Sequence, residues 1–207
     1  MNFWDEFYKQ PLENIPWQKT QADWFFELLD SGEISGASAL DLGCGTGMKS
    51  IALAKHGFDH IVGIDVAGKA IEIAKQNAIE NSVTNACEFV RGSVLNLDVL
   101  VSKKSDLILD WATIHCLMPE NRIHYAKQVT SYLADKGQLL IRAFSNTDKN
   151  QFSFLEEING VVQEIHFLFQ SDIEALFPNL KLVKSHKSNP RTKPDNYFFT
   201  ELLFQAD

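Results

Sequence analysis

A glycine-rich loop between an apolar strand and a helix is the feature that most constrains how this chain folds. Glycines occupy alternate positions in the segment Asp41-Leu-Gly-Cys-Gly-Thr-Gly47. The apolar run 37–40 predicts a buried strand before the loop, and residues 48–56 follow helical spacing after it. Glycine suits such a turn because it adopts dihedrals that a Cβ excludes and lets a ligand touch the backbone. We therefore expect the amide groups of the loop, with the helix N-terminus behind it, to be free to bind negative charge.

An acid at the end of the next strand supports a ligand at this loop. The run His60-Ile-Val-Gly-Ile-Asp65 is apolar up to Asp65. A carboxylate about 20 residues beyond a glycine loop holds the ribose of an adenosine-containing cofactor in dinucleotide-binding folds. The spacing here differs from the dinucleotide fingerprint, because the third glycine comes one position early and residue 48 is Met. We therefore expect an adenosine-containing cofactor, with an NAD-dependent oxidoreductase disfavoured.

The segment from Asp41 to Gly47 resembles motif I of the class I S-adenosylmethionine (SAM)-dependent methyltransferases. The run 133–141, Leu-Ala-Asp-Lys-Gly-Gln-Leu-Leu-Ile, matches the entry to the fifth strand of that family. The arrangement of Asp110 and His115 resembles methyltransferases related to the thiopurine and tellurite-resistance enzymes. The resemblance is firmest over residues 37–144. It implies SAM as the cofactor and methyl transfer as the reaction.

The resemblance also implies contacts at the carboxyl ends of the strands, where open α/β sheets bind their ligands. The glycine loop is expected to cradle the methionine part of SAM, Asp41 to support its ammonium group and Asp65 to hold the ribose. Ser93, where the family usually has an acid, and Val94 are expected at the adenine. The full expected cofactor-binding set is Trp17, Asp41, Gly43, Cys44, Gly45, Thr46, Gly47, Asp65, Val66, Ser93, Val94, Asp110 and Trp111.

Asp110 and His115 are the candidate catalytic residues. Asp110 ends the apolar run 105–110 and is expected, with Trp111, to line the wall beside the reacting methyl group. A histidine with its ordinary pKa of about 6.5 suits a general base for a hydroxyl, thiol or amine acceptor. Two structural alternatives stay open, in which Asp110 caps the following segment and His115 is a core histidine. No protein nucleophile is required, because positioning alone contributes roughly 7–11 kcal/mol to such a displacement.

Alternating strands and helices up to Phe144 predict a parallel, doubly wound sheet. The expected fold is a single-domain, α/β, Rossmann-like three-layer sandwich with a mostly parallel seven-stranded sheet and an antiparallel last strand. Residues 1–35 are expected to form an N-terminal helical lid or cap, with an aromatic stripe that packs onto the core or closes over the cofactor. Residues 36–144 form the cofactor-binding core in this interpretation. Residues 145–207 form a substrate-side insert, helical or hairpin, and the C-terminal strands.

Composition narrows the class of partner. The net charge is −8 with scattered basic residues, which disfavours nucleic acid. Three cysteines without paired spacing argue against a disulfide framework and a zinc site, so no metal is expected. No apolar run reaches the ~18 residues of a membrane span and no secretory signal is visible, which predicts a cytoplasmic protein. We expect a small-molecule acceptor. A protein or RNA acceptor, a SAM-binding partner subunit without catalysis, and the oligomeric state stay open.

Overall fold

The computed structural model describes residues 3–15, 23–189 and 194–207. Its strands are β1 (Ser38–Leu42), β2 (His60–Asp65), β3 (Cys87–Arg91), β4 (Ser105–Trp111), β5 (Leu133–Asn146), β6 (Ser153–Ile158), β7 (Val161–His166), β8 (Lys181–Ser188) and β9 (Tyr197–Gln205). Its α-helices are α1 (Phe3–Phe7), α2 (Trp24–Asp30), α3 (Met48–Lys55), α4 (Gly68–Glu80), α5 (Leu97–Leu100), α6 (Arg122–Tyr132) and α7 (Gln170–Leu176). Short 3₁₀ turns include Ile114–Cys116 and Pro119–Asn121.

Seven strands form one sheet in the order β3-β2-β1-β4-β5-β9-β8. The first five pair in parallel, whereas β9 runs antiparallel to both of its neighbours. Leu42 in β1 pairs with Ile64 in β2 and with Asp110 in β4, so the carboxyl ends of these strands meet at one edge. The predicted doubly wound sheet with an antiparallel last strand is confirmed. Because the glycine loop leaves the sheet at this edge, the edge is where the candidate site lies.

Alternate residues of the central strands point to two separate cores. On one face, Ala39 and Leu109 pack in a cluster with side chains of α2, α3 and α4, among them Phe25. On the other, Leu40 and Ile108 pack with side chains of α6 and α7 and with the β9 residues. Both faces of parallel strands are covered in this way, which is why these strands read as continuous apolar runs. No helix within the described ranges combines the length and the apolar character needed to cross a membrane.

The segment after β5 is a hairpin rather than a helix. β6 and β7 pair antiparallel as a separate two-stranded sheet, with Ile158 opposite Val161. The two residues between them, Asn159 and Gly160, both have positive φ (49° and 74°). Asn-Gly between two strands is the strongest short hairpin signal, since both residues accept the left-handed conformation of a type I′ turn. This hairpin packs against the 3₁₀ turn that follows β4, and Gln163 Nε2 donates to the Cys116 carbonyl at 3.3 Å.

Candidate active site

The glycine loop packs tightly against other parts of its own chain. Gly43 has a φ of 73°, and a Cβ built on it would lie 1.9 Å from Thr113 Oγ1. Thr113 is itself fixed by a hydrogen bond from its hydroxyl to the Leu42 carbonyl, at 2.8 Å. A Cβ on Gly45, whose φ is 54°, would lie 2.6 Å from the Tyr8 hydroxyl. Gly43 therefore packs against Thr113. Gly45 lies beneath Tyr8 of the N-terminal segment.

The loop amides are largely committed within the protein. The N–H groups of Gly43 and Cys44 donate to the Ile64 carbonyl at 2.7 and 3.0 Å. The Gly47 N–H donates to the Cys44 carbonyl at 2.9 Å. The Gly45 N–H donates to Asp65 Oδ2, also at 2.9 Å. The expectation of free loop amides that bind negative charge is wrong for these four groups, because the end of β2 accepts from three of them and the Cys44 carbonyl of the loop accepts from the fourth.

Asp65 connects the glycine loop to the turn after β2. Besides the bond from Gly45, its Oδ1 accepts from the Ala67 N–H at 2.8 Å. Burial raises the pKa of this carboxyl despite these two bonds. An ionised carboxylate has about four lone-pair directions, so two remain for further donors such as ribose hydroxyls. The side chain is therefore placed to hold a loop and a ligand at once.

Asp41 lies on the opposite side of the loop, beneath the first turn of α3. Its Oδ2 accepts from the Ser50 hydroxyl at 2.6 Å. The side chain is buried, and burial raises the pKa of Asp41 to about 6. This geometry ties β1 to α3, and the expected contact with the cofactor ammonium stays a prediction.

Asp110 is fully enclosed and fully used as an acceptor. Its carboxylate accepts from the N–H groups of Thr113 and Ile114 at 2.8 and 3.1 Å, and from the Tyr125 hydroxyl at 2.5 Å. Its exposed fraction is 0%, and burial raises its pKa to about 6. The carboxylate faces α6 rather than the loop. The geometry thus favours the capping alternative, and a catalytic role for Asp110 stays a prediction.

His115 is buried in the 3₁₀ turn after β4. Its Nδ1 accepts from the Phe144 N–H at 3.1 Å, which leaves the ring proton of the neutral imidazole on Nε2. Burial, together with the positive charges of Arg142 and Arg122 and the nearby His166, lowers the pKa of His115 to about 3. A nitrogen already occupied and a pKa this low suit a core histidine better than a general base. The catalytic role stays a prediction.

The remaining expected contacts surround the same edge. Ser93 Oγ accepts from the Leu95 N–H at 3.2 Å, and Val94 is buried beside it. The Val66 carbonyl, just after β2, accepts from Arg91 Nε at 3.2 Å. The Val66 side chain is half-buried. Cys44 and Thr46 are buried within the loop. Trp17 lies outside the described residues.

A buried network of charges beside Trp111 went unrecognised in the sequence. Lys49 Nζ lies 2.8 Å from Asp23 Oδ2 and 5.0 Å from the centre of the Trp111 ring. Arg142 Nε lies 3.2 Å from Glu201 Oε1, although the pair is not aligned as a hydrogen bond. Five chain segments supply these residues, so no local pattern announces them. Trp111 Nε1 and Asp23 Oδ1 are buried, and neither has a hydrogen-bond partner among residues 3–15, 23–189 and 194–207.

These unpartnered atoms test whether the residues fit SAM. A buried donor and a buried acceptor without partners, close to the glycine loop, complement the carboxylate and ammonium of an amino-acid group. The bare Cα of Gly45 and the spare lone pairs of Asp65 complement the rest of an adenosyl ligand. The residues present therefore fit SAM. Among the described residues, no group of three histidine, cysteine or acidic side chains is arranged to hold a metal ion.

The N-terminal segment and the hairpin cover this edge. Tyr8 has an exposed fraction of 5% and packs with Ile15, Ala67 and Ala70. Helix α1 contacts α4 and both hairpin strands, and Asp5 pairs with Arg91 at 3.2 Å. The carboxyl edge of the sheet is therefore roofed by elements from both ends of the chain.

A seven-stranded sheet with an antiparallel β9 between β5 and β8, a glycine loop after β1 and an acid at the end of β2 is the fold that this chain shares with SAM-dependent methyltransferases. A family model described as a methyltransferase domain matches residues 33–187, and the chain belongs to this family. The predicted membership of the SAM-dependent methyltransferase family is therefore confirmed, and SAM is the cofactor of that family.

Solved structures share this fold at low identity. The Burkholderia thailandensis 1,6-didemethyltoxoflavin-N1-methyltransferase, crystallised with 1,6-didemethyltoxoflavin and S-adenosylhomocysteine, superposes with a TM-score of 0.73 at 15% identity, covering 94% of this chain and 82% of that one. A SAM-dependent methyltransferase from Clostridium acetobutylicum gives a TM-score of 0.70 at 16% identity, covering 99% of both chains. At these identities the likeness concerns the fold.

A curated relative has a different kind of acceptor in its name. The ribosomal protein L11 methyltransferase of Vibrio campbellii is 39% identical over 62 residues, which are 30% of this chain and 21% of the relative. The match spans about a fifth of the relative's length. The type of acceptor is therefore left open by the comparisons.

Proposed function

We propose that this enzyme transfers the methyl group of SAM to a small molecule enclosed beneath α1 and the β6–β7 hairpin. The cover over the carboxyl edge carries this proposal. Tyr8 is buried against the glycine loop, and Gln163 bonds the hairpin to the turn after β4. A cover made of two chain segments can enclose a small acceptor completely, whereas it leaves little room for a folded macromolecule. A closed site also excludes water from the reaction.

In this proposal the residues of the chain bind SAM, orient it towards the acceptor and enclose both molecules. SAM supplies an electrophilic methyl carbon when bound. Gly45 and Asp65 hold the ribose, and Trp111 with the Asp23–Lys49 pair holds the amino-acid end. Ser93, Val94 and Val66 border the adenine. Methyl transfer then depends on the alignment of the methyl group with the acceptor atom. Such positioning can lower the barrier by roughly 7–11 kcal/mol.

Asp110 and His115 act in this proposal by fixing the turn Ile114–Cys116. Asp110 accepts from two amides at its start, and His115 accepts from the Phe144 N–H on β5. Their positions thus set the wall beside the reacting methyl group. Direct proton transfer by either residue stays a prediction that the buried, occupied geometry does not support.

The broader assignments belong to the same proposal. We place the lid within residues 1–35, the cofactor-binding core within 36–144 and the acceptor side within 145–207, as parts of one domain. All three cysteines, Cys44, Cys87 and Cys116, are unpaired thiols. Unpaired thiols are typical of a reducing compartment, which supports a cytoplasmic location.

The first test is calorimetric titration with SAM, S-adenosylhomocysteine and NAD in parallel. We expect both adenosyl ligands to bind at micromolar concentration and NAD to give no heat. Binding of NAD instead would overturn the cofactor roles given to the glycine loop.

The second test follows the methyl group. Purified enzyme and methyl-labelled SAM are added to separated small-molecule and macromolecule fractions of a cell extract. We expect label in the small-molecule fraction. The L11 methyltransferase relative keeps a protein acceptor as the second candidate, and label in protein would establish it in place of ours. No transfer with intact SAM binding would indicate a partner subunit without catalysis. The Asp65→Ala variant serves as the negative control.

A further inference from the structure

Arg122, the first residue of α6, carries a guanidinium without a counterion. Its Nη2 donates to the Leu117 carbonyl at 3.1 Å, while its Nε is buried and has no acceptor. No carboxylate among the described residues lies within ion-pair distance of it. Arg142, by contrast, faces both Glu201 and Asp23, at 3.2 and 3.7 Å. A half-buried arginine with an idle donor is a binding group for an anion.

His166, at the end of β7, presents a second idle nitrogen in the same region. Its side chain is 10% exposed, and its Nε2 is buried without a hydrogen-bond partner. The closest carboxylate oxygen, Glu164 Oε2, lies 4.0 Å away, beyond hydrogen-bond reach. Burial and the positive charge of Arg122 lower the pKa of His166, against the opposing charges of Glu164 and Glu120. The ring is therefore neutral, with a nitrogen available for one bond.

Hydrogen bonds to the turn after β4 place Arg122 near the hairpin: Arg122 Nη2 donates to the Leu117 carbonyl at 3.1 Å, and Gln163 Nε2 on β7 donates to the Cys116 carbonyl at 3.3 Å. The Cys116 thiol lies in the turn after β4, and its pKa is raised by burial and by the carboxylates of Asp110, Asp65 and Glu156. Arg122 acts on the same thiol with the opposite sign. The charges of Asp65, of Glu156 on the hairpin and of Arg122 thus all affect the pKa of the Cys116 thiol. The turn after β4 thus joins Arg122 to the hairpin whose second strand ends at His166.

We propose that Arg122 and His166 bind a carboxylate group of the methyl acceptor, so that the acceptor is a small carboxylic acid. This inference rests on the proposed function and narrows its acceptor. A guanidinium matches a carboxylate with paired donors, and the imidazole adds a third. The charges of Glu120, Asp172 and Glu164 surround the pair at longer range. They disfavour a doubly charged phosphate, which would bring a second negative charge among them.

The test compares charged and neutral probes of one shape. Protein saturated with S-adenosylhomocysteine is titrated with benzoate and benzamide, with acetate and acetamide, and with inorganic phosphate. Aromatic probes are included because the rings of Phe144 and Phe154 pack edge to face at the hairpin, 5.4 Å between centroids. Imidazole ¹⁵N signals are followed, with His166 identified by loss of its signal in His166→Gln. The variants are Arg122→Gln, Arg122→Lys and, as the matched control, Lys127→Gln at an exposed position of the same helix.

We expect at least one carboxylate to bind ten times more tightly than its amide and to shift the His166 signals. Arg122→Gln is expected to remove this preference, Arg122→Lys to retain part of it, and Lys127→Gln to change it less than twofold. Equal binding of acid and amide, an unchanged preference in Arg122→Gln, or tighter binding of phosphate would each overturn the carboxylate site. If S-adenosylhomocysteine itself failed to bind, the proposed function would fall, and this site with it. Its binding without discrimination between probes would overturn the site alone.

Discussion

Asp65→Ala removes a carboxylate that has two measurable effects, on the fold and on the ligand. The first comes from the buried N–H groups of Gly45 and Ala67, which lose their acceptor at 2.9 and 2.8 Å. Each unsatisfied buried donor costs about 1–3 kcal/mol. We therefore expect the free energy of unfolding, measured in urea without ligand, to fall by about 2–6 kcal/mol. Asp59→Ala, at an exposed acid just before β2, is the matched control and should change it by less than about 0.5 kcal/mol.

The second effect concerns the ribose. Hydrogen bonds to a charged group contribute about 1.5–3 kcal/mol each, so affinity for S-adenosylhomocysteine should fall by about 10–100-fold. Calorimetry of wild type and variant with S-adenosylhomocysteine and its 2′,3′-dideoxy form completes a double-mutant cycle. We expect a coupling of about 1.5–3 kcal/mol between Asp65 and the hydroxyls. Asp65→Asn, which keeps one acceptor, allows the cycle if alanine unfolds the protein. A coupling below about 0.5 kcal/mol would refute the ribose assignment. Unchanged stability would refute the assignment to the loop.

Three further predictions concern the sheet edge. The folded pKa of Asp110, about 6 against an ordinary 3.8, means that its stabilising effect is complete below pH 3.8 and is lost as the pH rises through 6. Between pH 4 and 7 the free energy of unfolding, measured in urea, should therefore fall by about 2.4 kcal/mol more for wild type than for Asp110→Asn. Equal pH dependence of the two proteins would contradict this. Gly43→Ala should destabilise the protein far more than Gly32→Ala, because Gly32 has the same φ of 73° but open space around it. Equal urea midpoints would show that Thr113 can move away from the added methyl group. With a pKa of about 3, His115 should give no inflection near pH 6.5 in the pH dependence of methyl transfer. If His115→Gln removes such an inflection from the profile, His115 is a base.

Sequence reading succeeded where the signal is local. Two features are encoded by residues that are close together in the sequence. They are the glycine loop with its flanking strand and helix, and the acid Asp65 at the end of the next strand. The hairpin signal, Asn159-Gly160, was equally local but was left undecided between helix and hairpin. The sequence of its first strand does not alternate apolar and polar residues, since the apolar pair Phe154-Leu155 is followed by two glutamates.

The sequence is less informative where a side chain's partner lies far along the chain. Both faces of β4 are apolar, so nothing in the run 105–111 tells that Asp110 faces α6 while Trp111 faces α2 and α3. Asp110 accepts from the nearby N–H groups of Thr113 and Ile114, and also from the Tyr125 hydroxyl, which lies fifteen positions away. The Arg142–Glu201 and Lys49–Asp23 pairs join segments that only the completed sheet brings together. Loop amides likewise looked free because the Ile64 carbonyl that accepts from them belongs to a different strand.

The position of β9 imposes an order on folding. β9 follows β8 along the chain, yet it lies between β5 and β8, and β8 pairs with no other strand of the sheet. During synthesis from the N-terminus, β8 therefore emerges before the strand that links it to the rest of the sheet, and β5 keeps an open edge until then. Such an edge is a site for wrong pairing while it is exposed. The arrival of β9 closes it and delivers Glu201 to Arg142 in the same step. Formation of that pair therefore marks the moment at which the nascent sheet becomes complete.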